Sequence, residues 1–234
     1  MRLSIIIPVF NEVDTISDII QKVKNSDYDK EIIVVDDAST DGTKDVLQKL
    51  SQQPGIKVFY HERNCGKGAA IRTAIKNITG NITIIQDADL EYDPDDYTGL
   101  LKPILDGKAD VVYGSRFQGG PHRVLFFWHY IGNKFLTLFS NMMTNLNLTD
   151  METGYKAFKS NVIKNISLTS DRFGFEPEVT AIIAHCNNYK IYEVPISYSG
   201  RDYSEGKKIG WKDGVAAMYF ILKYNIQAKL KIGS

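Results

Sequence analysis

Short runs of β-branched residues alternate with segments of helical spacing through the first half of the chain. The runs predict five strands, at Leu3–Ile7, Glu31–Asp36, Ile56–Tyr60, Ile82–Gln86 and Asp110–Tyr113. Apolar residues three and four positions apart predict helices at Ile16–Val23, Thr43–Leu50, Lys67–Ile75 and Tyr97–Leu105. This alternation indicates an α/β fold in which a mostly parallel central sheet carries helices on both faces.

The second half has a different pattern. Val124–Met143 is apolar almost all round and rich in aromatic residues, but polar residues interrupt it. It fits a buried helix, a helix lying at a membrane interface or, less well, a membrane span. Further on, Glu176–His185 predicts a helix, Ile191–Tyr198 a strand and Gly214–Tyr224 an amphipathic helix that leads into basic residues. No repeat or low-complexity linker interrupts the chain, so we expect one domain over residues 1–234.

Composition and charge narrow the class of protein. The chain is 43% hydrophobic and 24% charged, which is typical of a globular protein with a core. Its 28 basic and 28 acidic residues cancel, so no overall charge attracts nucleic acid, and only the segment from Arg201 onward is locally cationic. Cys65 and Cys186 lie too far apart for a zinc or redox motif, and the N-terminus lacks the pattern of a signal peptide. We therefore expect a cytoplasmic protein.

Acidic residues follow two of the predicted strands. Asp87 and Asp89 come directly after the strand that ends at Gln86, and an extended backbone would bring Glu91 to the same face. Clustered carboxylates repel unless a cation lies between them, and Mg²⁺ or Mn²⁺ commonly binds through one or two carboxylates plus substrate phosphates. The alternative is a solvated acidic turn. Asp36 and Asp37 end another strand, where a carboxylate can accept hydrogen bonds from a base or a ribose.

A glycine-rich loop opens the third predicted helix. Residues Asn64–Ala70 contain two glycines and Lys67, a composition that lets backbone N–H groups face an anion. The spacing is not that of a P-loop, and no GxGxxG motif follows the first strand. ATPase and dinucleotide-binding functions are therefore disfavoured.

In chain order, these segments resemble the nucleotide-sugar half of family 2 glycosyltransferases. The matching segments are Ile5–Glu12, Val34–Thr43, Asn64–Ala69 and Asp87–Asp89. Gly114–Arg116, Thr149–Lys156 and Val194–Lys208 are similar to the dolichol-phosphate mannosyltransferase-like branch, which includes polyprenyl-phosphate glucosyltransferases. The resemblance implies a GT-A (Rossmann-like nucleotide-diphospho-sugar transferase) fold. It assigns residues 1–113 to nucleotide-sugar binding and residues 114–234 to acceptor binding.

The resemblance also implies roles for individual residues. A nucleotide sugar such as GDP-mannose or UDP-glucose would be bound by Pro8, Phe10, Glu12, Asp36, Asp37, Lys67, Asp87, Ala88, Asp89, Arg201 and Lys207, with Lys208 nearby. Asp87, Asp89 and Glu91 would hold Mg²⁺ or Mn²⁺. Arg116 and Arg123 would bind the acceptor phosphate. Asp89, Arg116 and Asp150 are the expected catalytic residues.

The implied reaction is inverting transfer of mannose or glucose to a polyprenyl or dolichyl phosphate. A lipid monophosphate has a second pKa of ~6 and needs no strong general base, so we expect Asp150 to orient Arg116 or the sugar. Glu176 and Glu178 fit helix capping better than catalysis, although Glu178 could reach the sugar. Transfer to a saccharide hydroxyl and a catalytically silent nucleotide-sugar-binding subunit are the alternatives.

Two segments suggest contact with a membrane. The aromatic stretch Val124–Phe139 could receive the first isoprene units of the acceptor or pack in the core. The basic residues of Lys223–Lys231 could touch anionic lipid or remain solvated. We therefore expect peripheral attachment to a membrane surface, with a membrane-protein partner as a further hypothesis.

Overall fold

The computed structural model describes residues 1–124, 126–186, 188–202 and 211–232. In these segments a central sheet is built from β1 (Leu3–Val9), β2 (Lys30–Asp36), β3 (Ile56–Tyr60), β4 (Ile82–Ile85), β5 (Val111–Ser115), β6 (Lys156–Lys159) and β7 (Ile191–Pro195). The helices are α1 (Ile16–Asn25), α2 (Thr43–Leu50), α3 (Lys67–Ile75), α4 (Tyr97–Leu105), α5 (Phe127–Thr144), α6 (Ser160–Asn165), α7 (Phe175–Cys186) and α8 (Trp211–Ile232).

The strand order is β3-β2-β1-β4-β6-β5-β7. Every neighbouring pair is parallel except those of β6, which runs antiparallel to both β4 and β5. β1 is buried along its whole length apart from the half-buried Pro8, as expected for a strand covered on both faces. The mostly parallel α/β sheet is therefore confirmed.

Alternating residues of the strands belong to two hydrophobic cores, one on each face of the sheet. Ile5 and Ile7 of β1 belong to the core that packs under α1, α2 and α4, whereas Ile6 belongs to the core under α3 and α5 to α8. In α1 the buried residues Ile16, Ile19, Ile20 and Val23 repeat with helical spacing. Helices therefore cover both faces, as the sequence predicts.

β6 and α6 were not predicted from the sequence. The run Lys156–Lys159 is only four residues long and has a lysine at each end, so its hydrophobic pattern is too weak to indicate a strand. β6 nevertheless lies between β4 and β5, and Lys156 is fully buried beside Ile85 in the register. The insertion of an antiparallel strand brings the segment before Lys156 to the end of β4.

α5 is neither a fully buried helix nor a membrane span. Its buried residues form one stripe, Leu136, Thr137, Ser140 and Thr144. Large apolar side chains on the rest of its surface are exposed, with 78% exposure for Trp128 and 74% for Met142. No helix in the described segments is both long and apolar enough to cross a bilayer.

α8 is longer than the predicted Gly214–Tyr224 and packs against α5 and α7. It also has an exposed apolar stripe, formed by Val215, Tyr219, Leu222, Ile226 and Leu230. β7 is shorter than the predicted Ile191–Tyr198 because it ends at Pro195. The following residues continue as an extended segment across the carboxyl ends of the strands.

Candidate active site

Asp87 lies just beyond β4, at the carboxyl edge of the parallel strands, where α/β proteins commonly bind ligands. Its carboxylate is 2.8 Å from Nζ of Lys67, the first residue of α3, and the same ammonium lies 3.0 Å from Glu176 at the start of α7. Burial alone would lower the pKa of Lys67, but Asp87 and Glu176 raise it well above its ordinary value. The half-buried Lys67 ammonium therefore joins Asp87 to the second half of the chain.

Asp89 is less well compensated than Asp87. Its only ion-pair partner in the described part of the chain is Arg201, at 3.3 Å. Burial, followed by repulsion from Asp87 and Glu91, raises the pKa of Asp89 to about 7 despite Arg201. A further cation bound beside Asp89 would offset the repulsion among these carboxylates.

Arg201 connects the acidic residues of the first half with the extended segment after β7. Its guanidinium donates hydrogen bonds to both carboxylate oxygens of Glu12, at 3.1 and 3.2 Å. Its backbone N–H donates to Glu91 at 2.8 Å, and Glu91 also accepts from the hydroxyl of Tyr198 at 2.9 Å. Glu91, predicted as a metal ligand, thus holds the segment that carries Arg201.

Two carboxylates of the site could hold the predicted divalent cation. Asp87 and Asp89 offer oxygen ligands of the kind that Mg²⁺ and Mn²⁺ prefer, so these two residues fit a divalent cation. In the described segments, the one group of three potential ligands within 4.8 Å of one another is Asp37, His61 and Cys65. Asp37 already accepts from His61 at 2.7 Å and from the N–H groups of Cys65 and Gly66 at 2.9 and 2.6 Å. That group therefore serves as a brace for the loop before α3.

The same brace explains the glycine-rich loop. Gly66 has a φ of 102°, and a Cβ atom there would lie 2.3 Å from the carbonyl oxygen of Asp171. Only glycine fits such a backbone and such a close approach. Asp37, predicted to bind the nucleoside, is 2% exposed, and its carboxylate fixes this loop.

The other residues predicted to bind the nucleotide sugar lie at the same edge of the sheet. Pro8 and Phe10 are at the end of β1, where Val9 pairs with Asp36 in the register. Asp36 is buried and accepts one hydrogen bond from the N–H of Ser39 at 3.3 Å. The side chain of Ala88 packs in the core, so only its backbone could meet a nucleotide. Lys207 and Lys208 lie outside the described residues.

Arg116, predicted to bind the acceptor phosphate, is held rigidly by Asp150. Asp150 accepts hydrogen bonds from Nε and Nη2 of Arg116 at 2.7 and 2.8 Å, and it accepts from the backbone N–H of Arg116 at 3.1 Å. Asp150 is completely buried, whereas the Arg116 side chain is 12% exposed. The geometry agrees with the expectation that Asp150 orients Arg116.

Both predicted acceptor arginines flank the extended segment after β7. The guanidinium of Arg116 lies 5.2 Å from the ring centre of Tyr198. Arg123 donates from its backbone to Tyr198 at 2.9 Å and from its side chain to Gly200 and Asp202, each at 3.2 Å. The segment from Tyr198 to Asp202 thus links both arginines to Arg201 and the acidic site.

The two glutamates at the start of α7 have different functions. Both oxygens of Glu178 are used within the protein, because they accept hydrogen bonds from the N–H groups of Thr169 and Ser170 at 2.8 Å. The expectation that Glu178 could reach the sugar is therefore wrong. Glu176, expected to cap the helix, forms the ion pair with Lys67 instead, because α7 begins directly beside α3.

Sequence reasoning missed Tyr92, Glu152 and Lys156 as residues of the site. Lys156 is buried and donates to the carbonyl oxygens of Met151 and Thr153, and burial lowers its pKa to about 8. The segment Thr149–Lys156 carries part of the family resemblance, and Glu152 and Lys156 could have been identified from it. The antiparallel placement of β6, which brings this segment to the site, was not predicted.

The sequence model described as "Glycosyl transferase family 2" matches residues 4–167, well over half of the chain. The chain belongs to this family. This glycosyltransferase is 29% identical to an undecaprenyl-phosphate mannosyltransferase from Micrococcus luteus, over 93% of this chain and 92% of that protein. It is 28% identical to a UDP-N-acetylglucosamine--dolichyl-phosphate N-acetylglucosaminyltransferase from Methanococcus voltae, over 93% and 94%. These relatives confirm the resemblance to the polyprenyl-phosphate branch.

Solved structures confirm the GT-A fold of this family 2 glycosyltransferase. Glucosyl-3-phosphoglycerate synthase from Mycobacterium tuberculosis, in complex with Mn²⁺, UDP and phosphoglyceric acid, superposes with a TM-score of 0.75. The two chains are 19% identical, and the match covers 97% of this chain and 78% of the other. At this identity the likeness bears on the fold alone.

Proposed function

We propose that this glycosyltransferase transfers a hexose from a nucleotide diphosphate sugar to a polyprenyl phosphate, with inversion at the anomeric carbon and with a divalent cation. The observation that carries the proposal is the Arg116–Asp150 pair. Asp150 is buried and its two oxygens are occupied by Arg116, so it is poorly suited to take a proton from a hydroxyl acceptor. The group presented to the acceptor is instead an arginine, which suits a phosphate.

The reaction balances without a general base. A phosphate oxygen of the dianionic acceptor forms a bond to the anomeric carbon, and the bond from that carbon to the donor diphosphate breaks. The electron pair leaves with the nucleoside diphosphate, and no proton has to move. Arg116 would orient the acceptor phosphate and offset its repulsion from the donor, and Arg123 would bind the same phosphate.

The donor side of the proposal rests on Asp87, Asp89 and Lys67. A divalent cation bound by the two carboxylates would neutralise charge on the leaving diphosphate. Arg201 would add positive charge over the donor after exchanging Glu12 and Asp89 for phosphate oxygens.

Pro8, Phe10 and Asp36 would contact the nucleoside, and Glu91 would act by positioning Arg201. GDP-mannose and UDP-glucose remain the donor candidates, and the Methanococcus voltae relative adds UDP-N-acetylglucosamine.

The test is a transfer assay with purified protein, Mg²⁺ or Mn²⁺, labelled UDP- and GDP-sugars and undecaprenyl phosphate. We expect label to enter the organic phase with one donor and to stay in water when EDTA is present. Arg116→Lys keeps the charge but loses the bidentate fork, so it should raise the KM for the lipid phosphate about tenfold or more. Donor binding with transfer only to a saccharide hydroxyl would overturn the acceptor assignment. Donor binding without transfer to any acceptor would favour the silent-subunit alternative.

We also propose that the enzyme works at a membrane surface. The exposed stripe of α5 comprises Trp128, Ile131, Phe135, Leu138 and Met142, and α8 carries a second stripe nearby. A cleft of about 860 Å³ between α3, the loop before α7 and α8 adds five arginine and lysine side chains against one carboxylate. Apolar side chains beside basic ones are typical of helices that lie in the headgroup region of a bilayer.

A further inference from the structure

One carboxyl oxygen in the active site has no partner. Oε1 of Glu152 is buried and makes no hydrogen bond to any residue that the structure describes. Buried acceptors without a donor are uncommon in folded proteins because they lose the hydrogen bonds that water would supply. A ligand that brings a donor to this oxygen would remove a cost already present in the free protein.

The position of Glu152 indicates which ligand this is. Two residues before it, Asp150 binds Arg116 on the acceptor side. Two residues after it, Gly154 packs so closely against Asp87 that a Cβ atom would lie 2.2 Å from the carboxylate oxygen. The loop therefore runs from the acceptor arginine to the donor carboxylate, and Glu152 lies at its middle. In the proposed reaction the sugar is transferred from a donor held at Asp87 to an acceptor held at Arg116, which places it near this loop.

The loop is fixed before any ligand arrives. Glu193 accepts hydrogen bonds from the N–H groups of residues 149 and 150, at 2.9 and 3.0 Å. The ammonium of Lys156 binds the carbonyl oxygens on either side of Glu152. The hydroxyl of Tyr92 accepts from the N–H of Gly154 at 3.1 Å. Such bracing is what a binding residue needs to hold its geometry.

The surrounding charges favour a neutral partner for Glu152. Burial, followed by repulsion from Glu176, raises the pKa of Glu152 to about 8, although Lys156 and Arg116 oppose the shift. Asp150 adds a further negative charge nearby. A phosphate oxygen would meet repulsion from these carboxylates, whereas a sugar hydroxyl can hydrogen-bond to a carboxyl group in either protonation state.

We infer that Glu152 is a specificity-determining residue of the donor-sugar subsite, where its carboxyl group hydrogen-bonds to one hydroxyl of the transferred hexose. The inference rests on the donor half of the proposed function and is independent of the acceptor. A site built around such a hydrogen bond discriminates strongly against a sugar that lacks the hydroxyl, because the buried oxygen is then left unpaired again.

The test is a binding cycle between this residue and the sugar. Calorimetry with Mn²⁺ would measure the binding of UDP-glucose, GDP-mannose and UDP-N-acetylglucosamine, of their monodeoxy analogues, and of free UDP and GDP. For the donor that binds, we expect the wild type to lose about 10- to 100-fold in affinity when one particular hydroxyl is removed. In Glu152→Ala that difference should vanish, while the affinity for the free nucleotide stays the same.

Glu152→Gln keeps the shape and an acceptor, so it should retain most of the discrimination and guards against a folding defect in Glu152→Ala. Glu62→Ala, an exposed glutamate outside the site, serves as the matched control. The inference is overturned if Glu152→Ala discriminates among the deoxy donors as the wild type does. It is also overturned if the variant loses as much affinity for the free nucleotide as for the nucleotide sugar. Failure of the wild type to bind any donor would overturn the proposed function together with the inference. Donor binding without transfer to lipid would overturn the acceptor assignment alone.

Discussion

Carboxylates at the edge of the sheet differ in what compensates their charge. Asp87 pairs with the ammonium of the half-buried Lys67, and Asp150 pairs with the guanidinium of Arg116. Asp89 has a single longer contact to Arg201 and two acidic neighbours. Burial and the two like charges disfavour the ionised form of Asp89, so a bound cation would offset more unfavourable charge there than at Asp87. Asp150 is therefore engaged within the protein, whereas Asp89 keeps capacity to bind a cation.

The Asp150→Asn variant should show whether Asp150 orients Arg116 or acts as a general base. The amide can accept one hydrogen bond from Arg116 but no longer balances its charge, so kcat/KM for the lipid phosphate should fall about 10- to 100-fold. Donor affinity and the pH profile of transfer should be unchanged. Steady-state kinetics with varied lipid phosphate, together with calorimetry of donor binding, would measure both. A complete loss of transfer with donor binding intact would contradict the orienting function.

At the scale of secondary-structure elements, Glu31 ties the first strands together. This residue of β2 is 1% exposed and accepts hydrogen bonds from Ser4 of β1, at 2.6 Å, and from Thr79 and Gly80 before β4. Lys57 of β3 forms an ion pair with it at 3.0 Å. Burial opposes ionisation, but these hydrogen bonds lower the pKa of Glu31 to about 2. One carboxylate thus joins all four strands of the parallel half.

Glu31→Gln should therefore destabilise the fold in a pH-dependent way. The folded-state pKa lies below the unfolded value, so the stabilisation is complete above pH ~4.5 and is lost as the pH falls towards 2. Urea unfolding at pH 7 should show a loss of about 2–3 kcal/mol, which shrinks at pH 3. The exposed Glu62→Gln should show neither effect. An equal loss at both pH values would contradict this account.

The apolar stripe of α5 gives a second prediction at this scale. Trp128 and Phe135 are 78% and 54% exposed, so their replacement by serine should leave the unfolding free energy nearly unchanged. The same double substitution should greatly reduce co-sedimentation with vesicles containing anionic phosphatidylglycerol. Leu105→Ser, which removes a 51% exposed apolar residue from α4, is the matched control. Unchanged vesicle binding in the double variant would contradict the proposed membrane surface.

At the scale of the whole molecule, the active site depends on both halves of the chain. Arg201 contacts Glu12 across 189 positions, and Lys67 joins Asp87 to Glu176. The two hydrophobic cores likewise draw on strands from both halves. A ligand bound among these residues would therefore contact both halves of the folded chain. The unfolded chain offers no equivalent site.

Donor nucleotide should accordingly stabilise the entire protein. With Mn²⁺ and UDP or GDP at about 100 times the Kd, binding contributes about 2.7 kcal/mol, which corresponds to a rise in Tm of about 5–10 °C for a chain of this size. Differential scanning fluorimetry would record the shift. The Asp87→Asn, Asp89→Asn double variant should lose it, and so should the wild type with EDTA. A shift that persists in EDTA would contradict metal-assisted donor binding.

The parallel part of the fold and the candidate residues of the site could be predicted from the sequence. Strands and helices such as β2 and α3 follow from local hydrophobic periodicity, and acidic residues after β4 must lie at the ligand-binding edge of a parallel sheet. Arg116 and Asp150 were identified through family resemblance, and their pairing agrees with that expectation. Local pattern and strand direction suffice for such features.

The folded arrangement was needed to see which carboxylates are engaged and that Oε1 of Glu152 has no hydrogen-bond partner among the described residues. β6 has too little hydrophobic pattern to be recognised, yet its antiparallel placement brings Glu152 and Lys156 to the site. Glu176 and Glu178 differ only in which neighbours the fold gives them, Lys67 for one and the loop before α7 for the other. Burial, pairing and pKa depend on residues far apart in the chain, because electrostatic interactions act through space and are independent of sequence order.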